Sequence, residues 1–217
     1  KKKFESMLDE IRSGDPCVLL GTQILAKGHH FPAVTLVAIV DADSGLFSPD
    51  FRGQEFMAQT ITQVAGRAGR AERPGEVIVQ SRHASHRILR LLSESNYVDL
   101  AKLLLAERKI AVMPPYAQLA LIKADGPQLK ATIDLLKQIK SFSTQLIQQS
   151  ESTISSIGPM PAPMEKRAGR YRSQLLFKAT SKPIMQRFLT QLVYQIESLK
   201  VSTGVKWSLD VDPQEMI

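Results

Sequence analysis

The stretch TLVAIVDAD, residues 35–43, is an apolar run that ends abruptly in two carboxylates. Two similar runs flank it along the chain: PCVLLGT at 16–22 and GEVIVQS at 75–81. Continuous apolar runs of this length suit strands that are buried on both faces, as in a parallel sheet. These three runs therefore predict strands of one parallel sheet.

Helical patterns separate these runs. The spacing of apolar residues predicts one helix over 3–13 and another over about 53–70. Residues 1–81 then follow the order α-β-β-α-β, which indicates part of an open α/β layer. Ligands bind at the carboxyl ends of the strands in such sheets. Asp41 and Asp43 lie at one of these ends, and we expect a structural or coupling role for them.

Composition narrows the class of protein. Of 217 residues, 43% are hydrophobic and 23% charged, which is typical of a soluble globular protein. The net charge of +7 and the pI of about 9.6 favour an acidic partner such as nucleic acid. The sequence has no run of about 18 apolar residues, so we expect no membrane span.

The N-terminal residues and the single cysteine set further expectations. KKKFESMLDEIRSGD has no initial Met and no apolar core, so we expect a fragment of a longer chain and no signal peptide. One cysteine, Cys17, suits a reducing compartment. With four histidines and no CxxC, we expect no metal site in this chain.

The remainder of the chain has a different pattern of predicted elements. Residues 85–110 predict two helices, capped near Ser85 and Asn96, and Met113-Pro114-Pro115 breaks the pattern. We therefore expect three parts: an α/β part, a helical connector and a C-terminal domain, over residues 1–84, 85–112 and 113–217.

The elements of the third part follow the order β-α-β-β-α-β. Strands are predicted over AQLALIKADG, STISSIGPMPAPM, RYRSQLLFKAT and VKWSLDVDP, with a proline-rich turn ending the second. Helices are predicted over 127–149 and about 183–199, the latter capped by Ser181 with Pro183 near its start. This order is that of an α+β domain of the split βαβ (βαββαβ) type.

Two arginines mark the end of the helix predicted at 53–70. In QVAGRAGR, residues 63–70, Gln59, Gln63, Arg67 and Arg70 share one helical face. Gly66 and Gly69 remove side chains beside them, which allows a ligand to approach closely. Paired guanidiniums suit phosphate, and a solvated basic face with glycines ending the helix is the alternative.

A second motif follows the first predicted strand. GTQILAKGHHFP, residues 21–32, offers a Gly-Thr turn, a lysine and a second glycine at a strand's carboxyl end. Such loops present N–H groups and a hydroxyl to a phosphate backbone. His29 and His30 are adjacent and lack a third ligand, so we interpret them as loop or interdomain contacts.

Together the two motifs resemble motifs V and VI of superfamily 2 helicases. Their amino-acid sequences are similar to those of the primosomal, replication-restart family of DNA helicases. The same similarity holds for four further segments: VDADSGLFSPDFRGQEF, MPPY, GPMPAP…GRYRSQLLFK and WSLDVDP. The resemblance extends to the end of the chain. It implies a partial RecA-like helicase lobe followed by a domain that helps to bind forked DNA.

The resemblance also implies roles for individual residues. Arg67 and Arg70 match arginines that reach ATP phosphates across the cleft between two lobes, and Gln63 matches a glutamine that helps to form the nucleotide cleft beside Gly66. Gly21, Thr22 and Gln23 match motif V, which contacts the DNA backbone, and Lys27 extends that loop.

Several motifs of the resembled family do not occur in these 217 residues. The sequence has neither GxxxxGK[ST] nor a DExH motif. The resemblance implies that ATP and Mg²⁺ are bound mainly by another lobe, and that zinc is held by a cysteine-rich module elsewhere in a full-length protein. We therefore expect that this chain does not hydrolyse ATP alone.

Two surfaces of the third part are candidate binding sites. MEKRAGRYRSQ combines an aromatic residue with cations, namely Lys166, Arg167, Arg170, Tyr171 and Arg172. These features suit single-stranded or branched DNA, and an exposed, solubilising hairpin tip is the alternative. At the next helix start, Lys182, Gln186 and Arg187 suit an anion, with ordinary capping as the alternative.

The family resemblance implies a partner for each surface and a cellular setting. The partners are forked and single-stranded DNA, the acidic tail of single-stranded DNA-binding protein and other primosome proteins, in the bacterial cytoplasm at the nucleoid. The implied function is 3′-to-5′ helicase activity that starts primosome assembly at stalled forks. A non-catalytic DNA- and protein-binding module with a vestigial half-lobe is the alternative.

Overall fold

The computed structural model describes residues 16–21, 34–66, 75–94, 96–149, 153–214 and 216. The chain divides into two compact units, residues 1–104 and 105–217. This division falls inside a helix of the predicted connector. The domain boundaries that we placed after residues 84 and 112 stay predictions.

The first unit combines a small parallel sheet with helices. Its described elements are β1 (Leu36–Ile39), α1 (Asp43–Leu46), α2 (Gly53–Ala65), β2 (Glu76–Val79), α3 (Arg87–Ser93) and the start of α4 (Tyr97–Ile110). Strands β1 and β2 pair in parallel, with Leu36 opposite Glu76 and Ile39 opposite Val79. The parallel arrangement of these two strands is confirmed.

Two details of the predicted sheet are wrong. Residues 16–21 form no strand, and Val18 and Leu20 are 88% and 89% exposed. Within β1 and β2, half-buried residues alternate with exposed ones such as Leu36 and Ile78. Apolar side chains are buried on both faces of a strand only where other elements cover both faces, and a local pattern does not supply those elements.

Buried apolar residues hold the helices of the first unit together. The cluster comprises Leu46, Ala58, Ile88, Leu100, Leu103 and Leu104. His86 is the N-cap of α3, and its Nδ1 accepts a hydrogen bond from the Ile88 N–H at 3.3 Å. The cap therefore lies one residue after Ser85, near which it was predicted. Asn96 caps α4 as predicted, since its Oδ1 accepts from the Asp99 N–H at 3.1 Å.

The second unit has the predicted β-α-β-β-α-β order. Its elements are β3 (Gln118–Gly126), α5 (Leu129–Gln149), β4 (Ser155–Arg167), β5 (Arg170–Ala179), α6 (Lys182–Glu197) and β6 (Lys206–Val211). The strands form one antiparallel sheet in the order β4-β5-β3-β6. Residues from one face of the sheet and from both helices share a buried core that includes Ile122, Leu136, Phe177 and Leu192.

The second unit differs from the prediction at two places. The proline-rich segment is not a turn, because β4 continues through it to Arg167 with two irregularities in its pairing. Prolines are tolerated there since β4 lies at the edge of the sheet. Ser181 takes the N-cap position of α6 with Pro183 in the first turn, but its side chain makes no capping hydrogen bond.

Two glycines of the β4–β5 hairpin provide a matched test of this fold. Gly158 (φ 104°) and Gly169 (φ 78°) have positive φ, but an added Cβ would lie 2.8 Å from the Gln174 carbonyl oxygen at Gly158 and meet nothing within 4 Å at Gly169. We expect Gly169→Ala to lower the free energy of unfolding by about 1 kcal/mol and Gly158→Ala by about 3 kcal/mol.

Denaturant unfolding followed by the fluorescence of Trp207, the single tryptophan, reports on this unit because Trp207 lies in β6. Equal losses for the two variants would contradict the assigned backbone contact at Gly158.

Candidate functional site

The predicted nucleotide-binding face begins on α2. Gln59 and Gln63 lie one turn apart on this helix, and both side chains are exposed. Gln59 Nε2 donates to Glu55 Oε1 at 3.1 Å. Arg67 and Arg70 lie outside the described residues.

Gly66 ends α2 in an ordinary helical conformation, with φ −66° and ψ −2°. Its N–H donates to the Thr62 carbonyl oxygen at 3.0 Å. An added Cβ would come no nearer than 3.4 Å to that oxygen, which is an ordinary contact. The local fold therefore does not require glycine at this position, which is exposed like Gln63.

The predicted motif V loop is described only at its first residue. Gly21 is exposed. Thr22, Gln23 and Lys27 lie outside the described residues, as do His29 and His30.

Asp41 and Asp43 organise the carboxyl end of β1. Asp41 has a φ of 63° and accepts hydrogen bonds from Ser44, through the backbone N–H at 3.2 Å and through Oγ. Asp43 reaches the end of β2, where its carboxylate accepts from Ser81 Oγ and from the Arg82 N–H at 3.0 Å. These contacts give both carboxylates a structural role.

The hydrogen bond from Ser81, followed by that from the Arg82 N–H, holds the pKa of Asp43 below its ordinary value of 3.8. Both bonds favour the ionised carboxylate. In addition, the Ala42 N–H donates to the Gln80 carbonyl oxygen at 3.0 Å. The ends of the two parallel strands are therefore linked through backbone and side chain alike.

The basic hairpin joins β4 to β5 through a two-residue turn. Ala168 and Gly169 have φ of 48° and 78°, the left-handed values that a type I′ turn requires at both positions. Lys166 pairs with Tyr171, and Arg167 pairs with Arg170. Pairing across a two-residue turn fixes which of these side chains share a face.

Two predicted DNA-binding residues form a local pair at this hairpin. The Lys166 ammonium lies 4.8 Å from the centroid of the Tyr171 ring, a cation–π geometry. Arg167 is exposed and Arg172 half-buried. The hairpin therefore presents cations beside an aromatic ring, the combination that the sequence predicts.

Arg170 differs from its neighbours because its guanidinium contacts the protein itself. Its Nε donates to the Asp125 carboxylate, and its Nη2 donates to the carbonyl oxygens of Asp125 at 3.1 Å and Gly204 at 2.8 Å. These bonds hold the base of the hairpin against β3 and the loop before β6. The structure thus gives Arg170 an anchoring role, where the sequence suggested a cation free for DNA.

The predicted partner-binding residues lie at the start of α6. Lys182, Gln186 and Arg187 are all exposed there. Lys182 and Gln186 lie one helical turn apart, so they share a face. Because the Ser181 side chain forms no cap, this helix start lacks the usual side-chain acceptor for its first N–H groups.

An aromatic cluster that the sequence analysis missed lies next to Asp43. The ring of Phe47 contacts the imidazoles of His83 and His86 with centroid distances of 4.8 Å and 6.2 Å. Phe47 is 58% exposed. A phenylalanine shortly after the Asp-Ala-Asp strand end and the histidines of SRHASH were the available signals.

In the described parts of the two units, no group of three or more His, Cys, Asp or Glu side chains could hold a metal ion. Within the same residues, no helix is long and apolar enough to cross a membrane.

Family models match both parts of the chain. Residues 1–72 match the helicase conserved C-terminal domain, and residues 109–214 match the primosomal protein N C-terminal domain. The class defined by these matches is a helicase segment joined to a primosomal domain.

Curated relatives narrow this class. The chain is similar to the replication restart protein PriA of Haemophilus influenzae, with 44% identity over 217 residues, 100% of this chain and 29% of the relative. For PriA of Synechocystis, the identity is 34% over 215 residues, 98% of this chain and 25% of the relative. For PriA of Bacillus subtilis, the identity is 32% over 217 residues, which are 100% of this chain and 27% of the relative.

The chain belongs to the family of the replication restart proteins PriA. It spans between 25% and 29% of the length of these three relatives.

The contact between Asp43 and Ser81 predicts a specific pH response. Since the folded-state pKa of Asp43 lies below 3.8, these bonds stabilise the fold above that pH, and the stabilisation is lost as the pH falls through the folded-state pKa. We expect Ser81→Ala to raise the pKa of Asp43 towards 3.8 in a carboxyl NMR titration.

Asp99 is the control, because hydrogen bonds from Lys102 and Asn96 lower its pKa and Ser81 is not among the causes. If Ser81→Ala shifted the pKa of Asp99 as much as that of Asp43, or left the pKa of Asp43 unchanged, the role given to Ser81 would be refuted.

Proposed function

We propose that the chain is part of an ATP-dependent DNA helicase that unwinds in the 3′-to-5′ direction. In this proposal the protein binds stalled or branched replication forks and initiates primosome assembly. The observation that carries this proposal is that one chain matches two families: residues 1–72 match the helicase conserved C-terminal domain, and residues 109–214 match the primosomal protein N C-terminal domain. The replication-restart names of the relatives support the same function.

In this function, the first unit supplies one side of a nucleotide site. Gln63 and Gly66 shape the cleft, and Arg67 and Arg70 contact the phosphates of ATP, whose charge grows during phosphoryl transfer. The exposure of Gln63 and Gly66 supports this role. ATP and Mg²⁺ are bound mainly by groups outside this chain, because its sequence has no phosphate loop. Zinc likewise belongs to another part of the full-length protein.

DNA is contacted by both units. In the first, Gly21, Thr22, Gln23 and Lys27 follow the backbone of one strand. In the second, Lys166, Arg167 and Arg172 neutralise phosphates while Tyr171 offers a ring beside them, and Arg170 keeps the hairpin in place through Asp125. Phosphate neutralisation combined with stacking is how proteins hold single strands without reading sequence.

The start of α6 is the partner site in this proposal. Lys182 and Arg187 attract the acidic tail of single-stranded DNA-binding protein, and Gln186 donates a neutral hydrogen bond beside them. Their shared exposure and the missing side-chain cap at Ser181 support an external acidic ligand. In this proposal, other primosome proteins join at the fork. The protein acts in the bacterial cytoplasm, at the nucleoid.

The hairpin's role in DNA binding predicts a change in salt dependence. For single strands, each phosphate contact contributes about 0.7 to the slope of log K against log salt. We expect Lys166→Gln, Arg167→Gln and Arg172→Gln, combined in the 217-residue chain, to reduce the slope by about 2 in titrations with forked or single-stranded DNA.

The matched control neutralises three exposed lysines elsewhere in the second unit, Lys130, Lys137 and Lys200. An unchanged slope in the hairpin variant, or an equal fall in the control, would remove the hairpin from the DNA interface.

The partner site predicts an effect of charge reversal. We expect Lys182→Glu to weaken binding of an acidic C-terminal peptide of single-stranded DNA-binding protein by about tenfold, because attraction is replaced by repulsion. Fluorescence anisotropy of a labelled peptide measures this change. Lys200→Glu makes the same charge change at another exposed lysine, and equal affinities for the two variants would argue against the site at α6.

A further inference from the structure

Phe47 is an exposed aromatic residue that is held firmly in place. Its N–H donates to the Asp43 carbonyl oxygen at 2.9 Å, which fixes the chain at the end of α1. Its ring lies against His83 at an interplanar angle of 70° and against His86 at 77°. With 58% of the residue exposed, the ring presents surface to solvent.

The backbone at His83 and the side chain of His86, which support this ring, are fixed as well. The His83 N–H donates to Ser81 Oγ at 2.9 Å, and Ser81 is in turn bound to the Asp43 carboxylate. His86 is held by the hydrogen bond that its Nδ1 accepts from Ile88. The aromatic cluster is therefore organised before any ligand arrives, which lowers the entropic cost of binding.

The segment that carries the histidines is strongly basic. Residues 81–90, SRHASHRILR, contain three arginines and two histidines but no Asp or Glu. The three arginines, Arg82, Arg87 and Arg90, are exposed. The carboxylate of Asp43 contacts this segment, where it accepts hydrogen bonds from Ser81 Oγ and the Arg82 N–H. The local charge thus favours an anionic ligand.

The cluster also lies where open α/β sheets bind their ligands. Phe47 follows the carboxyl end of β1, and His83 follows that of β2, the edge used for ligand binding in such sheets. An aromatic ring that rests on an arginine-containing segment combines stacking with phosphate neutralisation, the two requirements for a single-stranded nucleic acid. A purely apolar peptide would gain nothing from the arginines.

We propose that Phe47, supported by His83 and His86, is a base-stacking platform for single-stranded DNA, with Arg82 contacting the adjacent phosphate. This inference rests on the proposed DNA-binding function and adds a contact within the first unit. It is independent of the hairpin in the second unit, so each can be tested without the other.

The test uses the 217-residue chain and a single-stranded oligonucleotide containing 2-aminopurine, whose fluorescence is quenched by stacking. Phe47→Leu keeps an apolar side chain but removes the ring. We expect the quenching to decrease in this variant and the affinity to fall roughly 5- to 150-fold, the range for loss of one base–aromatic stack. Phe47→Trp should retain both the quenching and the affinity.

Phe56→Leu is the matched control, because Phe56 is 42% exposed on α2 and lies outside the cluster. We expect it to bind as the unaltered chain does. With an oligonucleotide of abasic sites, the affinities of the unaltered chain and Phe47→Leu should converge, since no base is present to stack. Arg82→Gln should lower the salt slope by about 0.7.

The outcomes separate this inference from the proposed function. If the unaltered chain binds DNA and Phe47→Leu keeps its affinity and quenching, the platform is overturned while the hairpin remains to be judged by its own variants. If Phe47→Leu weakens binding of the abasic oligonucleotide equally, the platform is also overturned. Absence of DNA binding by the unaltered chain would overturn the proposed function itself.

Discussion

The pairing of β3 with β5 is the constraint on which the second unit depends. Its register runs without interruption from Gln118–Ala179 to Gly126–Tyr171. At one end it places Phe177 in the shared core, and at the other it brings Asp125 to the base of the hairpin, where Arg170 binds it. A slip of one residue would turn the apolar set away from the helices. The position of the basic hairpin is therefore fixed by the same pairing that builds the core.

Much of this fold follows from local patterns in the sequence. Helices with one apolar face, such as α5, and strands of the second unit were predicted because each pattern specifies both the element and its buried side. The strand predicted at residues 16–22 was wrong over residues 16–21, since an apolar run becomes a strand only beside a hydrogen-bonding neighbour. The cap of α3 was predicted near Ser85 and lies at the adjacent His86. A local rule does not choose between these two residues, because either side chain can accept the bond.

The candidate sites show a similar division. The chemical types of the hairpin residues were evident from MEKRAGRYRSQ, but the partner of each cation was not. Asp125 is 45 residues from Arg170 along the chain, and this distant carboxylate makes Arg170 an anchor. Phe47 and His83 are also separated in sequence, and their contact depends on the parallel pairing of β1 with β2. Sequence patterns indicate chemistry, whereas long-range pairing decides which groups are already occupied.

The prolines of β4 have a consequence for solution behaviour. This edge strand carries exposed apolar residues, among them Ile157 and Met164, which are 50% and 48% exposed. An edge of that kind is prone to recruit strands from other molecules. Pro159, Pro161 and Pro163 have no N–H to offer such a strand, and the two pairing irregularities make the edge uneven. The proline-rich segment thus guards against edge-to-edge aggregation while it carries the chain to its basic hairpin.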